Sequence, residues 1–353
     1  MSDTNTKKVN KKTIISIVKV IAFLLALVVI LQLLSKTFFA KERTGQYADT
    51  KYYYSMIYTN EKPDTIQVGL FGNSDLYSAF CPTGMFYQYG YTGTVVAAPR
   101  QTAAESYWYL NDFIQNQNPE LVIFECDMLY KSVPEDFENG DYYKKKGMPV
   151  IPFLNDDSLK NKIERDYPVF LFHDRWKQYL IPILTKDEAY THGYYFNKHV
   201  ETAAQRSQYI EPNDKLEPID EDEELYIRMA CELCEDNGIE FMLMSVPSAN
   251  TWSYSRHNAV QALCDELGIK FLDMSIEPEG LNINYKKDFR DEGNHLNYYG
   301  AKKATEYAGK FIYENYNLTN NRYNEDYSQW IDDLNRLYEE KGVVESLHFK
   351  TMV

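Results

Sequence analysis

The sequence has 353 residues, of which 44% are hydrophobic and 25% charged, a composition typical of a globular protein. Residues 1–36 hold six lysines and one aspartate. The remainder therefore carries 31 of the 37 basic and 51 of the 52 acidic residues, a formal charge of −20. Such a surface repels nucleic acid, and no basic stripe with interleaved aromatic residues is present. These features exclude a nucleic-acid-binding protein.

Residues 13–35, TIISIVKVIAFLLALVVILQLLS, form an apolar segment of the length that a helix needs to cross a bilayer. Lys7, Lys8, Lys11 and Lys12 precede the segment, and fewer basic residues follow it closely. The positive-inside rule then predicts a single-pass membrane protein. Residues 1–12 would be a cytoplasmic tail, residues 36–62 a juxtamembrane linker, and everything from about residue 37 would lie outside the cell.

Five short, nearly continuous apolar runs are typical of strands in a parallel sheet that is covered on both faces. They span residues 66–71, 94–98, 121–125, 239–246 and 269–274. Helical patterns separate them, beginning near Tyr77, covering 102–117, 220–237 and 253–267, and starting again near Tyr298. This alternation predicts a flavodoxin-like α/β domain with three α/β/α layers and a mostly parallel five-stranded sheet. Functional residues in such folds gather at the carboxyl ends of the strands.

The predicted α/β domain covers residues 63–317, with an insertion at about 128–220 that is rich in Tyr, Pro, Lys and Asp. We expect this insertion to form a lid or a side wall over the sheet edge. Within it, Arg175 of the sequence HDRW either lines the mouth of a site or anchors the insertion. The final segment, 318–353, is expected to hold an amphipathic helix at 327–342 and a short loose tail.

The remaining histidines and the cysteines give weaker signals. We expect His173, His192 and His199 to form structural hydrogen bonds, and His257 to lie at the surface. The five cysteines are scattered and odd in number, which predicts no full disulfide framework. Cys231 and Cys234 form a CxxC pair in a helical stretch, where they are expected to belong to the core rather than to a metal site. No metal or cofactor is expected. The 31 tyrosines suit either a surface for sugars or half-buried packing.

Ser74 stands in GNSDLYSAF, residues 72–80, directly after the first predicted strand. A serine between a strand and a helix is either a helix cap or a nucleophile presented at the sheet edge. A nucleophile needs a base, and His295 lies in a Gly-Asn-His turn before the last core helix. A carboxylate three or four residues earlier can orient the imidazole, and Asp291 and Glu292 both stand there.

The Gly72-Asn73-Ser74 block, together with the Asp291 and His295 pair, resembles the nucleophile block and the C-terminal Asp-x-x-His pair of the SGNH/GDSL hydrolase family. The sequences PRQT at 99–102, HDRW at 173–176 and HLNYYGAKK at 295–303 extend the resemblance over most of the extracellular part. They are similar to membrane-anchored SGNH proteins of Gram-positive bacteria. Those proteins are in turn similar to the D-alanyl transfer protein of teichoic-acid modification and to the alginate O-acetylation proteins.

The resemblance implies that Ser74 is the nucleophile, His295 the general base and Asp291 the group that orients it. The family acid lies three residues before the histidine, so Glu292 occupies the usual spacing and stays an alternative. The resemblance further implies that the amides of Ser74 and Asp75 bind the oxyanion.

Asn73, Gln101 and Arg175 are the remaining residues expected to bind substrate. The family's oxyanion asparagine has no counterpart, since Val95 or a neighbour stands at that place.

Two functions follow from these residues. The first is a membrane-tethered extracellular serine esterase or O-acyltransferase. It would act on a cell-envelope polysaccharide or teichoic acid, with a membrane-bound O-acyltransferase as a possible partner. The second is a catalytically idle SGNH-like scaffold that binds the glycopolymer or the acyltransferase, which the missing asparagine favours.

Overall fold

The computed structural model describes residues 11–37, 57–130, 159–167, 169–172, 189–203, 210–276 and 278–352. The chain divides into two compact units. Met1–Lys41 and Asn155–Ile183 form the first, and Glu42–Leu154 and Leu184–Val353 form the second. The predicted insertion at 128–220 is therefore divided, because its middle part clusters with the N-terminal helix.

The first unit is built on helix α1, Lys11–Lys36, whose 26 residues are long and apolar enough to cross a membrane. The apolar stretch that defines this helix is not buried by other parts of the chain. Two short helices, Leu159–Asp166 and Val169–Phe172, belong to the same unit. Val169 packs against Leu31 and Leu34, and its amide donates to Ser35 Oγ at 3.3 Å. An N-terminal signal sequence has the same length and composition, so membrane anchoring stays a prediction.

The second unit contains a five-stranded sheet with the order β2-β1-β3-β4-β5, in which every pairing is parallel. The strands are β1 Val68–Gly72, β2 Gly93–Ala97, β3 Leu121–Glu125, β4 Glu240–Ser245 and β5 Lys270–Asp273. Each lies within two residues of a predicted apolar run. The predicted α/β fold with a parallel five-stranded sheet is confirmed.

Helices cover both faces of this sheet. They are α2 Ser74–Ala79, α3 Pro82–Tyr89, α4 Ala103–Phe113, α5 Glu221–Asp236, α6 Tyr254–Leu267, α7 Tyr298–Asn315 and α8 Gln329–Lys341. Successive strand residues point to opposite faces, so Phe71 and Phe124 pack with α4, α5 and α6. Leu70 and Ile123 pack in a second core layer with α2, α3 and α7. Because all five strands are parallel, their carboxyl ends lie at the same edge of the sheet.

Three local features differ from the expectations. The helix expected near Tyr77 is two helices, because the chain is extended at Phe80 and Pro82 then starts α3. The C-terminal tail is not loose: Phe349 is buried, and its amide donates to the Tyr338 hydroxyl at 2.8 Å. His257 is not a surface residue, since its Nδ1 lies 2.8 Å from Asp273 Oδ2 and its side chain is only 17% exposed.

His192 joins three segments of the second unit. Its Nδ1 lies 2.8 Å from Glu61 Oε1, its Nε2 lies 3.3 Å from Asp333 Oδ2, and its ring stacks on Trp330 at 3.7 Å. Burial alone lowers the pKa of His192, but the two carboxylates outweigh burial and raise that pKa from 6.5 to about 9. The expected structural hydrogen bonding is thus present, and the imidazole is charged at neutral pH.

The charged His192 predicts a pH-dependent stability. A folded-state pKa above the unfolded value stabilises the fold fully below pH 6.5, and this contribution is lost as the pH rises through about 9. We expect the free energy of unfolding to fall by about 3 kcal/mol over that range. The variant His192→Asn, which tolerates the local positive φ of 51°, should lack this part of the decline. Denaturant titrations of the wild type and His192→Asn at a pH below 6.5 and at a pH above 9 measure this difference. An equal decline in the free energy of unfolding of the two proteins would contradict the assignment.

Candidate active site

Ser74 is the first residue of α2, two residues beyond the carboxyl end of β1, which lies between β2 and the central strand β3. The N-cap of the helix is Asn73, whose Oδ1 accepts a hydrogen bond from the Asp75 amide at 2.8 Å. Gly72 lets the strand pass close to its neighbour, since a Cβ there would lie 2.8 Å from Glu125 Cβ. The capping role thus belongs to Asn73, and the half-buried Ser74 hydroxyl is left for other contacts.

The structure brings Ser74 and His295 together from distant parts of the chain. His295 Nε2 lies 2.9 Å from Ser74 Oγ, a hydrogen-bonding distance. His295 Nδ1 contacts Asp291 Oδ2, and its backbone amide donates to Asp291 Oδ1 at 2.7 Å. A carboxylate at Nδ1 favours the tautomer with the proton on that nitrogen. Nε2 is then the acceptor that faces the serine hydroxyl, so the three side chains have the arrangement of a Ser-His-Asp triad.

A tight loop between Phe289 and Leu296 holds the acid and the histidine. These two residues form an antiparallel bridge, and the Arg290 amide donates to the His295 carbonyl at 3.1 Å. Glu292 and Gly293 turn the chain with φ values of 55° and 109°. The additional turn residue accounts for the four-residue spacing from Asp291 to His295. Glu292, the alternative acid, is exposed, and the carboxylate at His295 Nδ1 is that of Asp291.

The loop after β4 supports this turn from the side. The Ala249 amide donates to the Gly293 carbonyl at 2.8 Å. The Asn250 side chain donates to the Glu292 carbonyl at 3.3 Å. These bonds satisfy carbonyls of the turn and link the histidine loop to the carboxyl edge of the sheet. The position of His295 therefore depends on two strands, β1 through Ser74 and β4 through Ala249.

Gly293 predicts a strong sensitivity of the site to a single methyl group. A Cβ at Gly293 would lie 2.6 Å from Ala249 Cβ and 2.9 Å from Ala203 Cβ, in a backbone conformation that favours glycine. We expect Gly293→Ala to displace the loop and lower the rate of ester hydrolysis at least about tenfold, since small misplacements of reacting groups are costly. The matched control is Gly268→Ala. Gly268 shares the positive φ, but a Cβ added there would meet no atom of the described residues within 4 Å. An unchanged rate in Gly293→Ala would contradict the role of the turn.

The environment keeps His295 in its basic form. Burial lowers the pKa of His295, and the neighbouring Arg290 charge acts in the same direction, while the hydrogen bond and charge of Asp291 oppose them. The net effect is a pKa below the ordinary value of 6.5. The imidazole is therefore neutral at neutral pH and can accept the serine proton.

Two further carboxylates lie near the reacting groups. Asp75 Oδ1 is 3.9 Å from His295 Nε2, and Asp127 Oδ2 accepts from the Asn73 side chain at 3.1 Å. Asp127 also pairs with Arg256 at 3.6 Å. The sequence analysis missed Asp127, although a signal was available. This residue lies two positions after β3, whose carboxyl end is next to that of β1.

The predicted oxyanion and substrate-binding residues have mixed outcomes. The Asp75 amide is occupied by the Asn73 cap, so in this structure it does not point to a free oxyanion site. Gln101 is buried and its Nε2 donates to the Val96 carbonyl and to Ser106 Oγ, which ties the loop before α4. Val95 is a core residue of β2 and offers no side-chain donor. Their parts in substrate binding stay predictions.

The Ser74 amide is the remaining expected oxyanion donor. Among the residues that the structure describes, none accepts a hydrogen bond from it. Arg175 and the rest of HDRW lie outside the described residues. Within the described ranges no group of three metal-ligating side chains occurs, and the five cysteines are free thiols.

No protein-family model matches the chain, and no curated protein matches its sequence. Several solved structures are similar to it, and three of them are described here. A protein of Bacteroides fragilis described as an acylhydrolase shares 13% identity, with 77% of this chain and 99% of that chain covered and a TM-score of 0.37. A protein of Desulfitobacterium hafniense described as a lipolytic protein of the G-D-S-L family shares 12% identity over 69% and 98% of the chains, with a TM-score of 0.36.

A GDSL-like lipase of Bacteroides thetaiotaomicron shares 14% identity over 76% and 99% of the two chains, with a TM-score of 0.34. Because identities and TM-scores are this low, the fold assignment depends on the strand order and pairing of this chain. The candidate site depends on the contacts of Ser74, His295 and Asp291.

Proposed function

We propose that the protein is an SGNH-type serine esterase or O-acyltransferase with Ser74 as its nucleophile. The observation that carries the proposal is the 2.9 Å contact from Ser74 Oγ to His295 Nε2, with Asp291 on the other ring nitrogen. Ser74 is more than 200 positions away from His295 in the sequence. A chance surface arrangement rarely unites a hydroxyl, a neutral imidazole and a carboxylate in the order that nucleophilic catalysis requires.

The chemistry follows from the direction of the two hydrogen bonds. Ser74 Oγ attacks the carbonyl carbon of an ester as its proton passes to His295 Nε2, and Asp291 stabilises the imidazolium. The Ser74 amide donates to the developing oxyanion. His295 then returns the proton to the leaving alcohol, which yields an acyl ester on Ser74. A second hydroxyl, from water or from an acceptor, then loses its proton to His295 Nε2 as its oxygen attacks the acyl carbon. The bond from this carbon to Ser74 Oγ breaks, and His295 returns the proton to Ser74 Oγ.

We further propose that the enzyme is tethered outside the cell by α1 and acts on a cell-envelope polysaccharide or teichoic acid. The apolar N-terminal helix with its preceding lysines supports this location. The resemblance of the serine and histidine blocks supports the substrate class and a membrane-bound O-acyltransferase as partner. Tethering would raise the effective concentration of the enzyme near that partner.

Labelling with a fluorophosphonate tests the enzymatic proposal. We expect the full-length protein in detergent to be labelled covalently, and Ser74→Ala to abolish the label, because phosphonates react with activated serine hydroxyls. The matched control is Ser78→Ala on the same helix, whose hydroxyl bonds only the Ser74 carbonyl at 2.6 Å. It should retain the label.

The second candidate is a scaffold that binds glycopolymer or acyltransferase without chemistry. Two observations favour it: the Val95 side chain lacks a hydrogen-bond donor, and the Asp75 amide is engaged in the helix cap. Loss of one oxyanion donor typically costs about a hundredfold or more in rate. A folded protein that no fluorophosphonate labels would support the scaffold and contradict the enzyme.

A further inference from the structure

Arg290 lies beside the candidate triad and is not part of it. Its backbone amide donates to the His295 carbonyl at 3.1 Å, and its Nε is 3.8 Å from Asp291 Oδ2. The Arg290 side chain is only 11% exposed. Outside residues 1–36 the chain has a formal charge of −20. A mostly buried cation next to the reacting groups is therefore set against the general charge of this protein.

Two aromatic side chains, Tyr195 and Tyr77, lie next to this cation. The Arg290 guanidinium is 4.7 Å from the ring centroid of Tyr195. Tyr195 in turn lies 5.8 Å from Tyr77, and its backbone amide donates to the Tyr77 carbonyl at 2.8 Å. Tyr77 follows Ser74 by three positions on α2, so both share one face of the helix. Tyr195 is 39% exposed, which leaves part of its ring open to a ligand.

Two buried polar atoms beside these side chains have no hydrogen-bond partner among the described residues. Arg290 Nη1 is buried and has no hydrogen-bond acceptor among the described residues, and the same holds for the hydroxyl of the neighbouring Tyr194. A buried charged donor without an acceptor is costly. The nearest described carboxylate, Asp291, already bonds His295 through its side chain and backbone. An anionic group at the exposed part of the Arg290 side chain would add a counter-charge beside this cation.

We propose that Arg290, Tyr195 and Tyr77 form a subsite that binds an anionic group, a phosphate or a carboxylate, carried by a hydroxylated substrate. This inference rests on the proposed function, because it places the subsite next to Ser74. Arginine binds such oxygens through its planar fork of donors. The exposed face of Tyr195 would support the apolar side of a sugar or polyol.

Binding measurements on the full-length Ser74→Ala variant in detergent test the subsite without turnover. The probes are glycerol 3-phosphate and glycerol, which differ in the phosphate. We expect the phosphate probe to bind at least about tenfold more tightly, the range for a hydrogen bond to a charged group. Adding Arg290→Met should remove that preference, and Arg290→Lys should retain part of it. The preference should also decline with salt.

Equal affinity for the two probes, no binding of either, or a preference that survives Arg290→Met would each overturn the subsite. Tyr195→Ala provides a second variant, since this exposed side chain can be removed without opening the core. This variant should lower the affinity for glycerol 3-phosphate several-fold. Fluorophosphonate labelling keeps the two proposals apart. Labelling of Ser74 without a phosphate preference refutes only the subsite, whereas absence of labelling refutes the enzyme whatever the probes show.

Discussion

Replacing Asp291 by asparagine is expected to lower kcat/KM for ester hydrolysis by about ten-thousandfold, the scale on which loss of the orienting acid acts in triad enzymes. The carboxylate accepts from both the Nδ1 and the backbone amide of His295. An amide at that place favours the wrong tautomer, in which Nε2 carries the proton and no longer accepts the one from Ser74. Initial rates with 4-nitrophenyl acetate on the full-length protein measure the effect.

Glu292→Gln is the matched control for this prediction. It removes the same charge one residue later, from an exposed side chain. We expect the rate to change by less than about twofold, as for ordinary surface substitutions. The reverse result, a large loss in Glu292→Gln and a small one in Asp291→Asn, would assign the orienting role to the other carboxylate and contradict the observed loop geometry.

Removal of the base should have the largest effect of all. We expect His295→Ala to lower kcat by about a millionfold, because serine and histidine of a triad act as one unit.

In the wild type, the low pKa of His295 also predicts a pH profile. The catalytic form is neutral, so kcat/KM should fall as the pH drops through the depressed pKa of His295 and stay level at neutral pH. If kcat/KM instead falls on lowering the pH with a midpoint above pH 6.5, this histidine is not the base.

The strands and the candidate triad were accessible to sequence reasoning for a physical reason. A run such as Leu121–Glu125 is buried on both faces of a parallel sheet, so it is apolar without interruption and its ends are sharp. Ser74 follows such a run directly. His295 was marked by the carboxylates upstream and by the start of α7 behind it.

Other features were hidden because they depend on tertiary contacts. Nothing in the residue order shows that Asn73 would occupy the Asp75 amide or that Asp127 would bond Asn73. Phe349 looks like part of a tail, and only its position against Tyr338 makes it a core residue. His257 similarly has helical surroundings in sequence, and its bond to Asp273 of β5 brings it inward.

The orienting acid shows where a pattern reaches its end. Spacing alone left Asp291 and Glu292 open, because the family spacing favoured one and the reach of a turn allowed the other. The left-handed conformations of Glu292 and Gly293 absorb one residue, so the carboxylate that faces the ring is the earlier one. The hydrogen bond from the Ala249 amide to the Gly293 carbonyl, a contact between distant parts of the chain, supports this turn.

The acyl-enzyme itself is the most direct test of the central claim. Full-length protein would be mixed with 4-nitrophenyl acetate, quenched in acid within the first turnovers and digested for peptide mass spectrometry. We predict an acetyl ester on Ser74 in the wild type and none in Ser74→Ala or His295→Ala. Acetylation confined to another residue would contradict the account. So would a folded protein that carries no acetyl group when it is quenched within the first turnovers.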